Sequence, residues 1–321
     1  MNKLASKRFC RKEYLTIDGH KHGMFIEGTS PDHPVMLYLH GGPGYPQYPM
    51  IQSAGLNWSD YVTVCYWDQR AAGMSYNSKT QGKLTIERFV QDALVVTAFL
   101  KREYKKEKIY LFGHSWGTLI GSILASTYPE HFIAYIGAGQ MGRHLQSNAD
   151  TVEFLLQTAI ERGDQKAEEE IRKVQIDEHF YKDNQYRKVF SRYLIKYGGG
   201  MKRADYSQMK SLLELFSCRR YTWIEKLNIP KGIFMSYEAF AEQLAKLDVA
   251  ELAHEFKIPV YVVQGKYDYQ TSYKEAKRFF DSITAPYKKM YTFENSAHSP
   301  FLEEQEAFME IFKDEILLMQ K

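Results

Sequence analysis

The stretch KIYLFGHSWGTLIGSILAS, residues 108–126, places a serine between two apolar runs. The run before it is typical of a buried strand, and the run after it is typical of a helix. Between them, Gly113 to Gly117 match the pattern G-x-S-x-G, which in a strand-to-helix context predicts a nucleophile elbow. Glycines permit the sharp turn that lifts the hydroxyl of Ser115 out of the sheet. The alternative is a tight turn that carries an idle serine.

The rest of the chain supplies a setting for such an elbow. Strand-like and helix-like stretches alternate over residues 1–142 and again over 256–321, which predicts a mostly parallel sheet with helices on both faces. Residues 143–255 are mostly helical and amphipathic, so we predict a helical cap inserted between the two halves of the core. Asp18-Gly19 signals a hairpin turn, and Thr85 a helix N-cap.

A serine needs a base, and the base needs a carboxylate that orients it. In this fold the expected chain order is Ser, then Asp or Glu, then His. His298 is the only histidine downstream of Ser115 that follows a late strand, and Asp268 lies just after the strand before that one. Asp281 and Glu294 are weaker alternatives for the acid, and a surface loop is the alternative role for His298.

The sequence HGGPG, residues 40–44, follows another short apolar strand. Attack on a carbonyl develops an oxyanion, which two main-chain N–H groups can bind. We predict the N–H groups of Trp116 and Gly42, with Gly41 as the fallback for Gly42. A plain glycine-rich turn is the alternative, while a phosphate cradle is disfavoured because no Lys-Ser/Thr pair follows.

Composition excludes several classes of function. The chain has 321 residues and a formal charge of +3, which is too small to indicate a nucleic-acid partner. Three scattered cysteines predict neither a disulfide framework nor a zinc site, and no metal or organic cofactor is implied. The N-terminal stretch lacks the apolar region of a secretory signal, and no apolar run reaches the roughly 20 residues of a membrane helix. We therefore expect a cytoplasmic protein that acts on a small molecule or short peptide, with its oligomeric state open.

Five motifs together resemble the proline iminopeptidase (prolyl aminopeptidase) family of α/β-hydrolases. They run from His40 to Pro300 and read HGGPG, WDQRAAGMS, GHSWGT, GKYD and SAHSP. The resemblance implies an α/β-hydrolase fold with a cap, and removal of an N-terminal proline from peptides. The chain carries Ala71, His114 and Ala297 where the family usually has glycine, which favours a relative outside the best-defined peptidase branch.

Peptidase chemistry of that kind requires carboxylates in the cap, since a desolvated ammonium group must be paired. Six glutamates of the cap are candidates for that role: Glu153, Glu161, Glu214, Glu225, Glu238 and Glu242. We predict substrate contacts from the following residues: Gly41, Glu214, Glu238, Tyr221 and Trp223. We expect Asp68 and Arg70 of the WDQR motif to brace the loops around the site.

Three hypotheses for the function follow. The first is a serine aminopeptidase that releases an N-terminal proline or a small apolar residue through an acyl-enzyme. The second is an esterase, lactonase or amidase of the same fold with a small-molecule substrate. The third is a binding module without catalysis, because a fold alone does not determine a function.

Overall fold

The computed structural model describes residues 8–202 and 208–318; the first seven residues of the N-terminal stretch examined for a signal lie outside these ranges. The strands are β1 (Phe9–Ile17), β2 (His20–Gly28), β3 (Val35–Leu39), β4 (Thr63–Trp67), β5 (Ile109–His114), β6 (Phe132–Ala138), β7 (Val260–Gly265) and β8 (Lys288–Phe293). The helices are α1 (Tyr48–Ala54), α2 (Ile86–Glu103), α3 (Trp116–Thr127), α4 (His144–Glu161), α5 (Gln165–Ile171), α6 (Asn184–Lys196), α7 (Gln208–Ser217), α8 (Trp223–Ala245), α9 (Val249–Leu252), α10 (Tyr273–Ser282), α11 (Pro300–Glu303) and α12 (Gln305–Ile311). None of the helices in the described ranges is long and apolar enough to cross a membrane.

The eight strands form one sheet in the order β1-β2-β4-β3-β5-β6-β7-β8. Strands β4, β3, β5, β6, β7 and β8 run parallel, and the β1–β2 hairpin joins them antiparallel at one edge. Asp18 and Gly19 both have positive φ, of 47° and 75°, as a two-residue hairpin turn that matches the strand twist requires. The predicted hairpin and the mostly parallel sheet are confirmed.

Successive side chains of the strands pack alternately into two apolar layers, one on each face of the sheet. In β3, for example, Leu37 packs in the layer that contains α2, α3 and α10, whereas Tyr38 packs in the layer that contains α1, α11 and α12. Helix α2 begins where the sequence predicts, because the Thr85 hydroxyl accepts a hydrogen bond from the N–H of Arg88. Helices on both faces of the sheet confirm the predicted α/β class.

Helices α4 to α9, here called the inserted helices, lie between β6 and β7. They contribute most of a third apolar cluster, which includes Leu155, Val189 and Ala245. Helix α8 also packs Phe240 and Leu244 into the first layer of the core. The predicted division of the chain at residues 143 and 255 stays a prediction.

The order of the strands determines where a site can form. After β3 the chain moves to β4 on one side, and then crosses to β5 on the other side. This change of direction is a topological switch point, at which the loops beyond the carboxyl ends of β3 and β5 separate and leave a crevice. HGGPG follows β3 and Ser115 follows β5, so both motifs lie at this crevice.

Candidate active site

Ser115 sits at the turn between β5 and α3 with φ of 54° and ψ of −121°, a conformation that is strained for any residue with a side chain. The flanking glycines make the turn possible. A Cβ atom on Gly113 would lie 2.5 Å from the carbonyl oxygen of Gly117, and one on Gly117 would lie 2.1 Å from that of Leu39. The N–H of Ser115 donates to the carbonyl of Ala138 (3.0 Å), which ties the turn to β6.

His298 and Asp268 meet beyond the ends of β8 and β7. The His298 Nδ1 atom lies 2.9 Å from Asp268 Oδ2, and both side chains are almost completely buried. The same carboxylate accepts hydrogen bonds from the Gln264 amide (2.7 Å), the Thr271 hydroxyl (3.0 Å) and two backbone N–H groups. These bonds hold the carboxylate in place, and the Nδ1 contact orients the imidazole.

The opposite nitrogen of that imidazole, His298 Nε2, is buried and has no hydrogen-bond partner among the described residues. His298 and Ser115 line the same small cavity. The structure thus brings together Ser115, Asp268 and His298, as the sequence predicts; their catalytic roles stay predictions. Asp281 and Glu294, the alternative acids, instead form exposed ion pairs with Lys277 and Lys266.

The predicted oxyanion donors also lie beside Ser115. Gly42 and Trp116 line one cavity with it, and neither main-chain N–H group has an acceptor among the described residues. Trp116 is the first residue of α3, and the first N–H groups of a helix have no partner within it. The N–H of Gly41 donates to Gln47 Oε1 (3.1 Å), so the fallback donor is already occupied.

A buried hydrogen-bond chain links the loops on the two sides of Ser115, and sequence reasoning missed it. Gln47 Oε1 accepts from the Tyr38 hydroxyl (2.7 Å) as well as from Gly41, while Gln47 Nε2 lies 2.6 Å from His114 Nδ1. His114 Nε2 lies 3.0 Å from the carbonyl oxygen of His298. We call this series of hydrogen bonds the Gln47–His114 relay.

The relay is consistent with one protonation state of His114. Burial holds the pKa of His114 well below its ordinary value, so the ring is neutral. Its Nδ1 accepts from the Gln47 amide, and its Nε2–H donates to the carbonyl of His298. The sequence marks only His114, which stands where the similar family usually has glycine, and no motif points to Gln47 as its partner.

Asp68 and Arg70 lie in the core rather than in a cavity beside Ser115. Arg70 makes a paired contact with the carboxylate of Asp92 (2.6 and 2.8 Å) and donates to the carbonyl of Gln81. Asp68 accepts from the Tyr221 hydroxyl (2.7 Å), so it connects the loop after β4 to the segment before α8. Burial raises the pKa of Asp68 to about 7. These contacts fit the bracing role that the sequence suggests.

Two cavities open at Ser115. The larger one, of about 540 Å³, is walled mainly by apolar and aromatic side chains of the inserted helices. The only side chain among its described lining residues with a permanent charge is Arg187, whose guanidinium donates to the carbonyl of Tyr181 and lies over the ring of Tyr237. Burial lowers the pKa of His144, a further lining residue, to about 4, so that it is neutral at pH 7.

The smaller cavity, of about 180 Å³, lies on the side of His298. Gly41 lines it, and its contact with substrate stays a prediction. Loops and helix ends complete the wall, among them Tyr45, Met50 and Ile195. The cavities share Ser115, Gly42 and Gln270.

Four predicted substrate contacts are not found among the described residues that line these cavities. Tyr221 is buried against Asp68, and Glu214 bonds to Ser53. Glu238 faces solvent on α8, and Trp223 is 68% exposed at the start of that helix. The helical pattern correctly placed these residues on helices or their flanks, but it does not reveal which face of an inserted helix meets Ser115. We do not retain them as substrate contacts.

Comparison with known proteins agrees with this architecture. Residues 34–305 match the model of the α/β hydrolase fold family. The chain is 25% identical over 303 residues to Probable aminopeptidase YbaC of Bacillus subtilis, covering 92% of each protein. It is 24% identical over 290 residues to a proline iminopeptidase of Saccharolobus solfataricus, covering 87% of this chain and 83% of that protein.

Among solved structures, Est816, described as an N-acyl homoserine lactone degrading enzyme, has the same fold. It aligns with a TM-score of 0.62 at 18% identity, covering 94% of this chain and 99% of Est816. The resemblance to proline iminopeptidases is confirmed by relatives of that name along most of the chain. The family match, the sheet and the elbow agree, and the chain belongs to the α/β hydrolase fold family.

Proposed function

We propose that this protein is a serine hydrolase that cleaves an ester or amide bond through an acyl-enzyme on Ser115. One observation carries the proposal. An imidazole that is anchored to a buried carboxylate through Nδ1 presents an unpaired Nε2 in the cavity that also holds an elbow serine. A base oriented in this way is what an unactivated hydroxyl requires.

In the proposed reaction, His298 Nε2 takes the proton of Ser115 while Oγ forms a bond to the carbonyl carbon. The bond to the leaving group then breaks, and His298 returns the proton to the leaving atom. Water attacks the acyl-enzyme by the same route, so the acid is released and the serine hydroxyl is restored. The negative oxygen of each tetrahedral intermediate lies at the N–H groups of Gly42 and Trp116, and one such donor contributes about 3 kcal/mol to transition-state stabilisation.

The test is Ser115→Ala, compared with the wild-type protein for turnover and for labelling by a fluorophosphonate. We expect labelling of the wild-type protein only, and a rate loss of about 10⁴-fold or more in the variant. Ser126→Ala is the matched control, since this half-buried serine at the far end of α3 donates its hydroxyl to the carbonyl of Glu255. Labelling of Ser115→Ala at the wild-type rate would contradict the proposal, and an unlabelled wild-type protein would favour a binding module.

Two substrate classes fit this chemistry. The names of the relatives favour an aminopeptidase, which must hold a cationic amino group beside the scissile bond. The lining of the larger cavity favours an esterase, lactonase or amidase, because the one permanently charged side chain among its described residues is the cation of Arg187, which would repel an ammonium group. We therefore favour a substrate without a free amino group.

Parallel assays separate the two classes. Prolyl- and alanyl-arylamides are offered beside their N-acetylated counterparts and beside simple acyl esters. We expect turnover of the esters and little of the free amino-acyl amides. Faster turnover of the prolyl arylamide would establish the aminopeptidase instead.

A further inference from the structure

The two cavities at Ser115 differ in size and in their catalytic neighbours. The larger one, about 540 Å³, is lined by Trp116 but not by His298. The smaller one, about 180 Å³, is lined by His298 but not by Trp116. An acyl substrate has two ends, so the question is which end each cavity receives.

The geometry of the reaction assigns one end of the substrate to each cavity. In the tetrahedral intermediate the carbon carries Ser115 Oγ, the negative oxygen, the leaving group and the acyl chain. The oxygen points to the N–H groups of Gly42 and Trp116. The leaving group must lie within hydrogen-bond reach of His298 Nε2, because that nitrogen protonates it. The acyl chain therefore extends in the remaining direction, away from His298.

The cavity volumes limit the size of each end of the substrate. The larger cavity falls within the range of sites for drug-sized ligands, and Phe180, Phe190, Ile233 and Leu244 supply apolar walls. The smaller cavity has one third of the volume of the larger one, about 180 against 540 Å³, so it limits the size of the leaving group more than the larger cavity limits the acyl group.

We infer that the preferred substrates join a bulky apolar acyl group, held in the larger cavity, to a small leaving group, held in the smaller one. The inference rests on the proposed acyl transfer at Ser115. An aminopeptidase substrate has the opposite shape, with a small acyl residue and a long leaving peptide.

Isomeric esters test this partition, since they have the same atoms and differ only in which end is large. Methyl phenylacetate is compared with benzyl acetate, and methyl octanoate with heptyl acetate, by following acid release at constant pH. We expect kcat/KM to favour the methyl ester of each pair about tenfold or more. Equal rates, or a preference for the acetates, would overturn the inference.

Variants in each cavity should shift this preference in opposite directions. Ala241→Leu fills the larger cavity from α8, so it should lower the rate on methyl phenylacetate and spare benzyl acetate. If Ala241→Leu folds poorly, Ile233→Trp is used, because Ile233 is half-buried and its added volume can enter the cavity. Ile195→Phe narrows the smaller cavity and should lower the rate on benzyl acetate more than on the methyl ester. Ile160→Phe, at an exposed isoleucine of α4, is the control.

The outcomes separate this inference from the proposed function. A protein that reacts with the fluorophosphonate but hydrolyses prolyl arylamide better than either methyl ester keeps the serine chemistry and refutes the partition. A labelled protein that hydrolyses none of the four esters also refutes it. A protein that neither reacts with the fluorophosphonate nor turns over any of these substrates refutes the proposed function itself.

Discussion

Sequence patterns locate functional residues better at the rim of the sheet, meaning the loops beyond the carboxyl ends of β5, β7 and β8, than on the inserted helices. At the rim, Ser115, Asp268 and His298 come from three separate loops, and the structure brings all three together. On the inserted helices, the residues predicted to contact substrate do not line the cavities at Ser115; Glu238, for example, faces solvent.

The difference lies in how each region constrains its side chains. Residues just beyond the carboxyl ends of neighbouring parallel strands must share one edge of the sheet. An amphipathic helix reveals only that one of its faces is buried. It does not reveal whether that face meets the core, another helix or a cavity, and α8 meets all three.

Asp268→Asn should produce the largest effect, at the rim. The variant keeps the size of the side chain but favours the wrong tautomer of His298, so we expect kcat to fall by about 10⁴-fold while the protein stays folded. Asp281→Asn, at an exposed ion pair with Lys277, should retain wild-type activity. Similar kinetics for the two variants would remove Asp268 from the site.

Asp68→Asn should change how the free energy of unfolding depends on pH. Asp68 connects the loop after β4 to the segment before α8. Burial raises the pKa of Asp68 to about 7, above its ordinary value of 3.8. The folded state therefore binds a proton that the unfolded state releases between about pH 4 and 7, and the stabilisation from this group is lost as pH rises through that window. An asparagine carries no such proton, so the stability of the variant relative to the wild-type protein should increase with pH, by up to about 4 kcal/mol.

Urea unfolding of both proteins at pH 4.5 and 8 measures that difference. Asp281→Asn again serves as the control, since its carboxylate is exposed. Parallel changes in wild-type and Asp68→Asn stability would show that Asp68 ionises in the folded state as it does in the unfolded state.

His114→Gly should have an intermediate effect on catalysis. The glycine removes the hydrogen bonds of His114 to Gln47 and to the His298 carbonyl, at about 0.5–1.5 kcal/mol each. We expect kcat to fall about 10- to 100-fold, because the relay positions the oxyanion loop and the base. Gln47 and His114 also line the smaller cavity, so KM is measured beside kcat. Gln47→Leu should have a similar effect, and the double variant should lose less than the sum of the two. Additive losses, or a change in KM alone, would show that the relay is not a unit.

Glu238→Gln and Trp223→Ser should have the smallest effects, because both residues are exposed on the inserted helices. We expect kcat/KM within about twofold of wild type and stability within about 0.5 kcal/mol. A large loss in kcat/KM for Glu238→Gln with amino-acyl amides would restore this glutamate as a substrate contact, and would weaken the contrast between the two regions.

Much of the fold could be predicted because its signals are local. The Asp18-Gly19 turn, the Thr85 N-cap and the apolar runs of β3, β5 and β7 each depend on neighbouring residues, and the structure has them where expected. The elbow was predictable for a related reason, since only glycine fits at Gly113 and Gly117. The relay was not predictable, because Gln47 and His114 are 67 residues apart and neither belongs to a motif for such a contact.

The sequence alone identifies candidates for hydrolase chemistry and the strand ends at which they lie, since a strand end and its turn are set by short-range sterics and hydrogen bonding. The shape of the space around Ser115 depends instead on how distant parts of the chain pack together. This packing divides that space into a large apolar cavity and a small one beside His298. Cavity walls come from side chains distant in sequence, and their packing depends on helix orientations that no local pattern specifies.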